Sequence, residues 1–151
     1  MNIVYIEYSI AQRSLDIFFS GCNNRCEDCC NPELMNFNVG EEWHNQKKNI
    51  ERYLKDYDLL INNIFLVGGS PNHQKTEDML EFLQYIKNVT NKPIWLFAGE
   101  SLDTVQEIFK EYCDFIKVGA YIPSKKDSNY YQEGIKIATS NQKVLKKGID
   151  Y

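Results

Sequence analysis

Apolar residues recur along this chain with two spacings, and the switch between them marks out its elements. Val4, Ile6 and Tyr8 fall on alternate positions, the period of a strand with one buried face. The run 16–20 is short and apolar and ends at Gly21. Ile50, Tyr53, Leu54 and Tyr57 keep helical spacing, and the run 64–67 reads as a buried strand stopped by Gly68 and Gly69. The clearest helix follows. Thr76 suits its cap, Glu77 and Asp78 its first turn, and Met79, Phe82, Leu83, Ile86 and Val89 share one face. Pro93 precedes a strand over 94–97 that closes at Gly99. Ser101 suits the cap of a further helix carrying Leu102, Val105, Ile108, Phe109 and Tyr112. A fourth strand over 115–118 ends at Gly119.

Strands alternating with helices at this spacing predict an α/β fold, a parallel sheet with crossover helices. A closed eight-fold barrel takes about 250 residues, so the expectation is an incomplete, open parallel β/α barrel. The loop after residue 20, Gly68-Gly69-Ser70 and Gly99-Glu100 each follow the C-terminal end of a strand. Active sites of parallel α/β folds gather at that edge. With 151 residues and no linker or repeat, residues 1–151 read as a single domain. Phe18, Phe19, Trp95 and Phe97 read as core strand residues.

Charge narrows the partners. A net charge of −4 argues against a general nucleic-acid or membrane-surface binder. Lys143, Lys146 and Lys147 read as a solvated tail, with a local basic patch as the alternative. No apolar run approaches the roughly 20 residues that span a bilayer. The start of the chain lacks the basic region and apolar stretch of a signal peptide. The expected location is therefore cytoplasmic, with reduced thiols.

The candidate chemistry sits in the run from Gly21 to Pro32. Cys22, Cys26 and Cys29 are spaced by three residues and then two, close enough to wrap one polynuclear centre. Iron–sulfur clusters are usually held by four cysteines; three on a four-iron cubane leave one iron open for chemistry. Structural zinc needs a closed set of four ligands, usually in two separated pairs. Here Cys30 adjoins Cys29, Cys113 lies far along the chain, and His44 and His73 stand alone. An odd count of five cysteines argues against a disulfide framework. Zinc and redox-active or inert thiols remain the alternatives. Cys30 reads as a non-ligand, since adjacent residues rarely point at one centre, and Cys113 as a core residue.

Gly21 to Pro32 resembles the cluster motif of the radical S-adenosylmethionine (SAM) superfamily, and in detail the small activases of glycyl radical proteins, above all those of anaerobic, class III ribonucleotide reductase. Residues 65–71 resemble the family's glycine-pair segment, 94–99 its next strand and turn, and 138–144 its Ser-Asn-Gln tail. The resemblance covers most of residues 15–146. It implies an open barrel of the radical SAM type with a 4Fe-4S cluster on Cys22, Cys26 and Cys29. SAM would chelate the open iron through its amino and carboxylate groups. One electron would then cleave the sulfonium to methionine and a 5′-deoxyadenosyl radical, which takes hydrogen from a glycine of the partner. No catalytic residue is implied beyond cluster and SAM. The implied partners are a large glycyl radical protein, the anaerobic reductase, and a flavodoxin- or ferredoxin-like electron donor.

The implied SAM contacts are Asn31, Gly68, Gly69, Ser70, Ala98 and Gly99. Glycine at 68 and 69 lets backbone approach the methionine moiety without a Cβ clash; a simple strand-ending turn is the alternative. Asn31 is placed for the adenine, or forms a turn before Pro32. Asn141 and Gln142 meet a partner or nucleotide, or form a surface turn. The chain also departs from the family pattern. Ser70 stands where an acidic residue usually meets the methionine ammonium, which predicts weaker SAM binding because charge-assisted hydrogen bonds are about twice as strong as neutral ones. Residues 9–14 lack the usual glycines, Met35 replaces a frequent aromatic, and Ala98 replaces a hydroxyl residue. There is no second cysteine cluster. Other readings are a radical SAM enzyme acting on a small molecule, peptide or RNA, and a non-catalytic Fe–S electron-transfer or metal-binding module.

Overall fold

The alternating N-terminal pattern folds as β1 (Asn2–Ser9), which turns back into β2 (Ser14–Phe19). A computed structural model describes residues 1–151. The two-residue strand β3 (Glu41–Glu42) follows the cysteine loop, and α1 (Lys47–Asp56) leads into β4 (Asn63–Gly68). Then come α2 (Thr76–Val89), β5 (Ile94–Phe97), α3 (Glu107–Tyr112) and β6 (Phe115–Val118). The chain ends with a small hairpin of β7 (Tyr131–Gln132) and β8 (Ile135–Lys136), then β9 (Lys143–Lys146).

Seven strands form one mixed sheet in the order β3-β1-β2-β4-β5-β6-β9. Its centre, β2, β4, β5 and β6, is parallel. Antiparallel strands extend both edges, β1 and β3 on one side and β9 on the other. The connection between β1 and β2 is too short for a parallel crossover, so the pair is a hairpin. No α-helix intervenes between β6 and β9, and β9 also returns antiparallel. Lys143 and Lys146, read as part of a solvated tail, belong instead to this edge strand; both stay exposed at its ends, while Val144 and Leu145 at its centre point to opposite faces and are both buried.

Side-chain alternation gives the sheet two unlike faces. On one, Leu15, Ile17, Phe19, Ile64, Leu66 and Leu96 pack under the helices. Met79, Phe82, Leu83 and Ile86 of α2 are all fully buried against them, as their common face predicts. Phe82 meets both Phe19 and Trp43 edge-on, with ring centroids 5.2 and 5.3 Å apart. The other face carries Phe65 and Trp95, covered by Ile135, Ile137 and Val144 from the last 22 residues of the chain. Cys113 is fully buried in the helix-side core, and burial pushes its thiol well up. No helix is long and apolar enough to cross a membrane.

Two caps expected from sequence do not form. The cap position of α2 is Lys75, and the Thr76 hydroxyl instead donates to Gln106 Oε1 at 2.8 Å. The helix expected after Ser101 splits into a 3-10 turn, Leu102–Thr104, and α3, with Val105 extended between them. Tertiary hydrogen bonds interrupt it: the Gln106 backbone N–H donates to Asn72 Oδ1 at 2.9 Å and its side chain donates to the carbonyls of Asn72 and Gln74.

Candidate metal centre

Four loops meet at the C-terminal edge of the parallel strands, those after β2, β4, β5 and β6. They enclose a cavity of about 310 Å³. Cys22, Cys26 and Cys29 all line it, with Cys30 beside them. The three expected ligands are half-buried and Cys30 is exposed. No three His, Cys, Asp or Glu side chains converge in a geometry that holds a single metal ion. Ligands of a polynuclear cluster bind different irons and need share only a wall.

The loop is held at its base by backbone. Gly21 N–H donates to Leu34 O at 2.7 Å and Cys22 N–H to Met35 O at 3.1 Å, folding the loop back on itself. From the β4 side, Gly69 N–H donates to Phe19 O at 2.8 Å and Ser70 N–H to Gly21 O at 2.9 Å. The buried Gln74 amide donates to Ser20 O at 2.8 Å. These bonds explain the glycine pair. Gly68 has φ +105°, which side chains rarely adopt, and a Cβ there would sit 2.5 Å from Phe19 O. A Cβ on Gly69 would lie 2.7 Å from both Gly21 O and Leu34 O. Both glycines also line the cavity. The pair is thus required by protein packing around the cysteine loop, whatever else it contacts.

The charges around the thiols are unbalanced. Burial pushes the Cys22 and Cys26 thiols up, and the neighbouring thiols and the Glu100 carboxylate add to the rise. Two features oppose it: the Asn24 N–H on Cys22 Sγ at 3.4 Å, and the Lys117 ammonium near Cys26. Lys117, on β6, is buried and lines the cavity. Burial pulls its ammonium down to about 8, while Glu100 and Cys26 act to restore it. Its one hydrogen bond in the chain is a long 3.4 Å contact to Gly119 O. Glu100, which acts on Lys117 from behind the cavity wall, has a buried Oε2 with no partner in the chain. Crowded thiolates need a cationic centre between them, and a buried cation with an unpaired carboxylate oxygen nearby suits a zwitterionic amino acid. The residues present therefore fit a 4Fe-4S cluster with an amino-acid-bearing ligand.

The remaining expected contacts divide. Asn31 and Gly99 are on the cavity wall. Ala98 is fully buried in the helix-side core, off that wall. Ser70 is also buried and off it, its hydroxyl unpartnered. Gln142 is buried on the wall rather than in a surface turn, its amide donating to Gly119 O at 3.1 Å, and Asn141 donates to Ala120 O at 2.9 Å. Phe97, expected in the core, lines the cavity on the far side from the helices. Sequence reasoning missed Lys117. Its signal was present: a lone charge inside the apolar run 115–118 demands a partner when buried.

Comparison with known proteins gives the family of this chain. The model of the family described as "4Fe-4S single cluster domain" matches residues 13–145. The anaerobic ribonucleoside-triphosphate reductase-activating protein of Enterobacteria phage T4 is 30% identical over 118 residues, covering 73% of this chain and 74% of that protein. No solved structure matches.

Proposed function

Because this chain belongs to the 4Fe-4S single cluster family, alongside the reductase-activating protein of phage T4, we propose that it is a radical SAM activase of an anaerobic ribonucleotide reductase. The observation that carries the proposal is the sharing of one cavity by Cys22, Cys26, Cys29 and the buried Lys117. Bound there, cluster and SAM supply a one-electron cleavage that ends in hydrogen abstraction from a glycine of the partner. A flavodoxin- or ferredoxin-like protein provides the electron.

The chain's own residues bind and orient. Cys22, Cys26 and Cys29 would hold the cluster through three of its irons, and the iron left without a cysteine would be open to SAM. Lys117, on the cavity wall, would attract the cofactor's carboxylate, and Glu100, behind that wall, would supply the negative charge that Ser70 lacks. Gly68, Gly69 and Gly99 let backbone border the methionine moiety, and Asn31 and Phe97 offer a polar and an apolar surface to the nucleoside. The sheet is, on this reading, the open barrel of the radical SAM type, supported by its four parallel strands and by a site at their C-terminal edge. An oxygen-labile, reduced centre of this kind belongs in the cytoplasm of an anaerobically growing cell.

The test is anaerobic reconstitution with iron and sulfide, reduction, addition of SAM and assay of 5′-deoxyadenosine. Turnover is expected in the unaltered protein and in Cys30→Ala, and is expected to vanish in Cys22→Ala, Cys26→Ala and Cys29→Ala. Turnover persisting in any of these three refutes the ligand set. Its absence in a fully loaded protein refutes the SAM chemistry.

A further inference from the structure

One group of polar side chains touches the cysteine loop without contributing a ligand. His73, in the 3-10 turn after β4, accepts the Asn23 backbone N–H on Nδ1 at 2.9 Å. Its Nε2 lies 2.9 Å from Glu100 Oε1, in the loop after β5. The same carboxylate oxygen accepts Asn24 Nδ2 at 2.7 Å. Since Nδ1 accepts, Nε2 carries the proton and donates, so the two roles select one tautomer. Both groups are well shielded, with 17% of the His73 side chain and 14% of Glu100 exposed. Gly99 keeps the space clear, since a Cβ there would meet Asn24 Nδ2 at 3.1 Å.

We infer that His73 and Glu100 are positioning residues that clamp the segment between Cys22 and Cys26 through Asn23 and Asn24, and so hold the cluster's first two ligands in place. The reason is geometric. Backbone bonds secure the loop at Gly21 and Cys22, but the stretch 23–30 makes no backbone bond of its own outside the turn closed by Asn31. The clamp is the cross-link from that stretch to the loops after two other strands. Its members are coupled through Glu100: removing Glu100 releases Asn24 and also takes away the partner that orients His73, whereas removing His73 releases Asn23 and leaves the Asn24 bond in place. The inference rests on the cluster reading, so its test includes a measurement on metal-free protein.

Amide exchange of Asn23 in the metal-free chain reads the clamp directly. His73→Ala is expected to speed it about tenfold, the equivalent of one hydrogen bond, with the melting temperature unchanged. In protein loaded with iron and sulfide, His73→Ala and Glu100→Ala are each expected to release iron to a chelator about tenfold faster and to shift the electron paramagnetic resonance of the reduced cluster. The double variant is expected to be no faster than Glu100→Ala alone. Glu100→Gln keeps an acceptor oxygen for both donors and is expected to stay within about twofold of the unaltered protein. Unchanged Asn23 exchange, additive single effects, or Glu100→Gln as damaging as Glu100→Ala overturns the clamp. Failure of the unaltered protein to load overturns the cluster reading alone, because the Asn23 measurement needs no metal.

Discussion

Gly69→Ala places one methyl group where two strand ends and the cysteine loop come closest. The alanine Cβ would lie 2.7 Å from Gly21 O and 2.7 Å from Leu34 O, against 3.4–4 Å for ordinary contact. Gly69 has no left-handed φ, so the whole penalty is one of contact. Relief comes in two ways. Compressing the site costs about 1–3 kcal/mol, the range for overpacking. Moving the loop breaks the Ser70 N–H to Gly21 O and Gly21 N–H to Leu34 O bonds, at about 1 kcal/mol each. Both routes cost about 2 kcal/mol, and the second also displaces Cys22. Urea unfolding of the metal-free protein should show that loss, with iron uptake on reconstitution reduced. Gly99→Ala is the comparison for the urea midpoint alone: its Cβ meets no backbone, only the Asn24 side-chain nitrogen at 3.1 Å, and shifting that amide costs at most its one bond to Glu100, about 1 kcal/mol. A Gly69→Ala protein with an unchanged urea midpoint and full iron content would show that backbone approach does not explain this glycine.

Two further substitutions probe buried charge. The Asp16 carboxyl, on the face of the sheet away from the helices, is pushed up to about 6 by burial; the Ser14 hydrogen bond offsets part of that rise, and Glu7 adds a smaller one. A carboxyl raised on folding holds its proton more tightly in the folded state, so stability falls as pH rises from about 4 to about 6 and the penalty is complete above that. Asp16→Asn is expected to flatten that part of the profile and to gain about 1–2 kcal/mol at neutral pH, by urea unfolding across pH; a parallel profile would refute the assignment. Lys117→Met keeps the length of the side chain and removes the charge facing the cavity. SAM affinity, measured by calorimetry on loaded protein, is expected to fall about tenfold, as for loss of a charge-assisted bond, while the melting temperature does not fall. Unchanged affinity would remove Lys117 from the carboxylate.

Local pattern carried much of this protein. The strands at 64–67, 94–97 and 115–118, the buried stripe of α2 and the core placement of Cys113 were legible because alternation and helical spacing are properties of neighbouring residues. The cysteine spacing named the candidate metal ligands for the same reason. The split of the helix after Ser101 was not legible, since Gln106 is bound by Asn72 and Gln74, more than 30 residues away. Nor was β9: its lysines looked like a solvated tail until pairing with β6 buried Val144 and Leu145 between them. The surroundings of the thiols belong to the same class. His73, Glu100 and Lys117 come from three separate loops and strands, and only the parallel pairing of β4, β5 and β6 brings their ends to the cysteines. Spacing along the chain thus chose the candidate ligands, whereas the charge and hydrogen bonds around them were set by the sheet, because electrostatic and hydrogen-bond energies depend on distance through space.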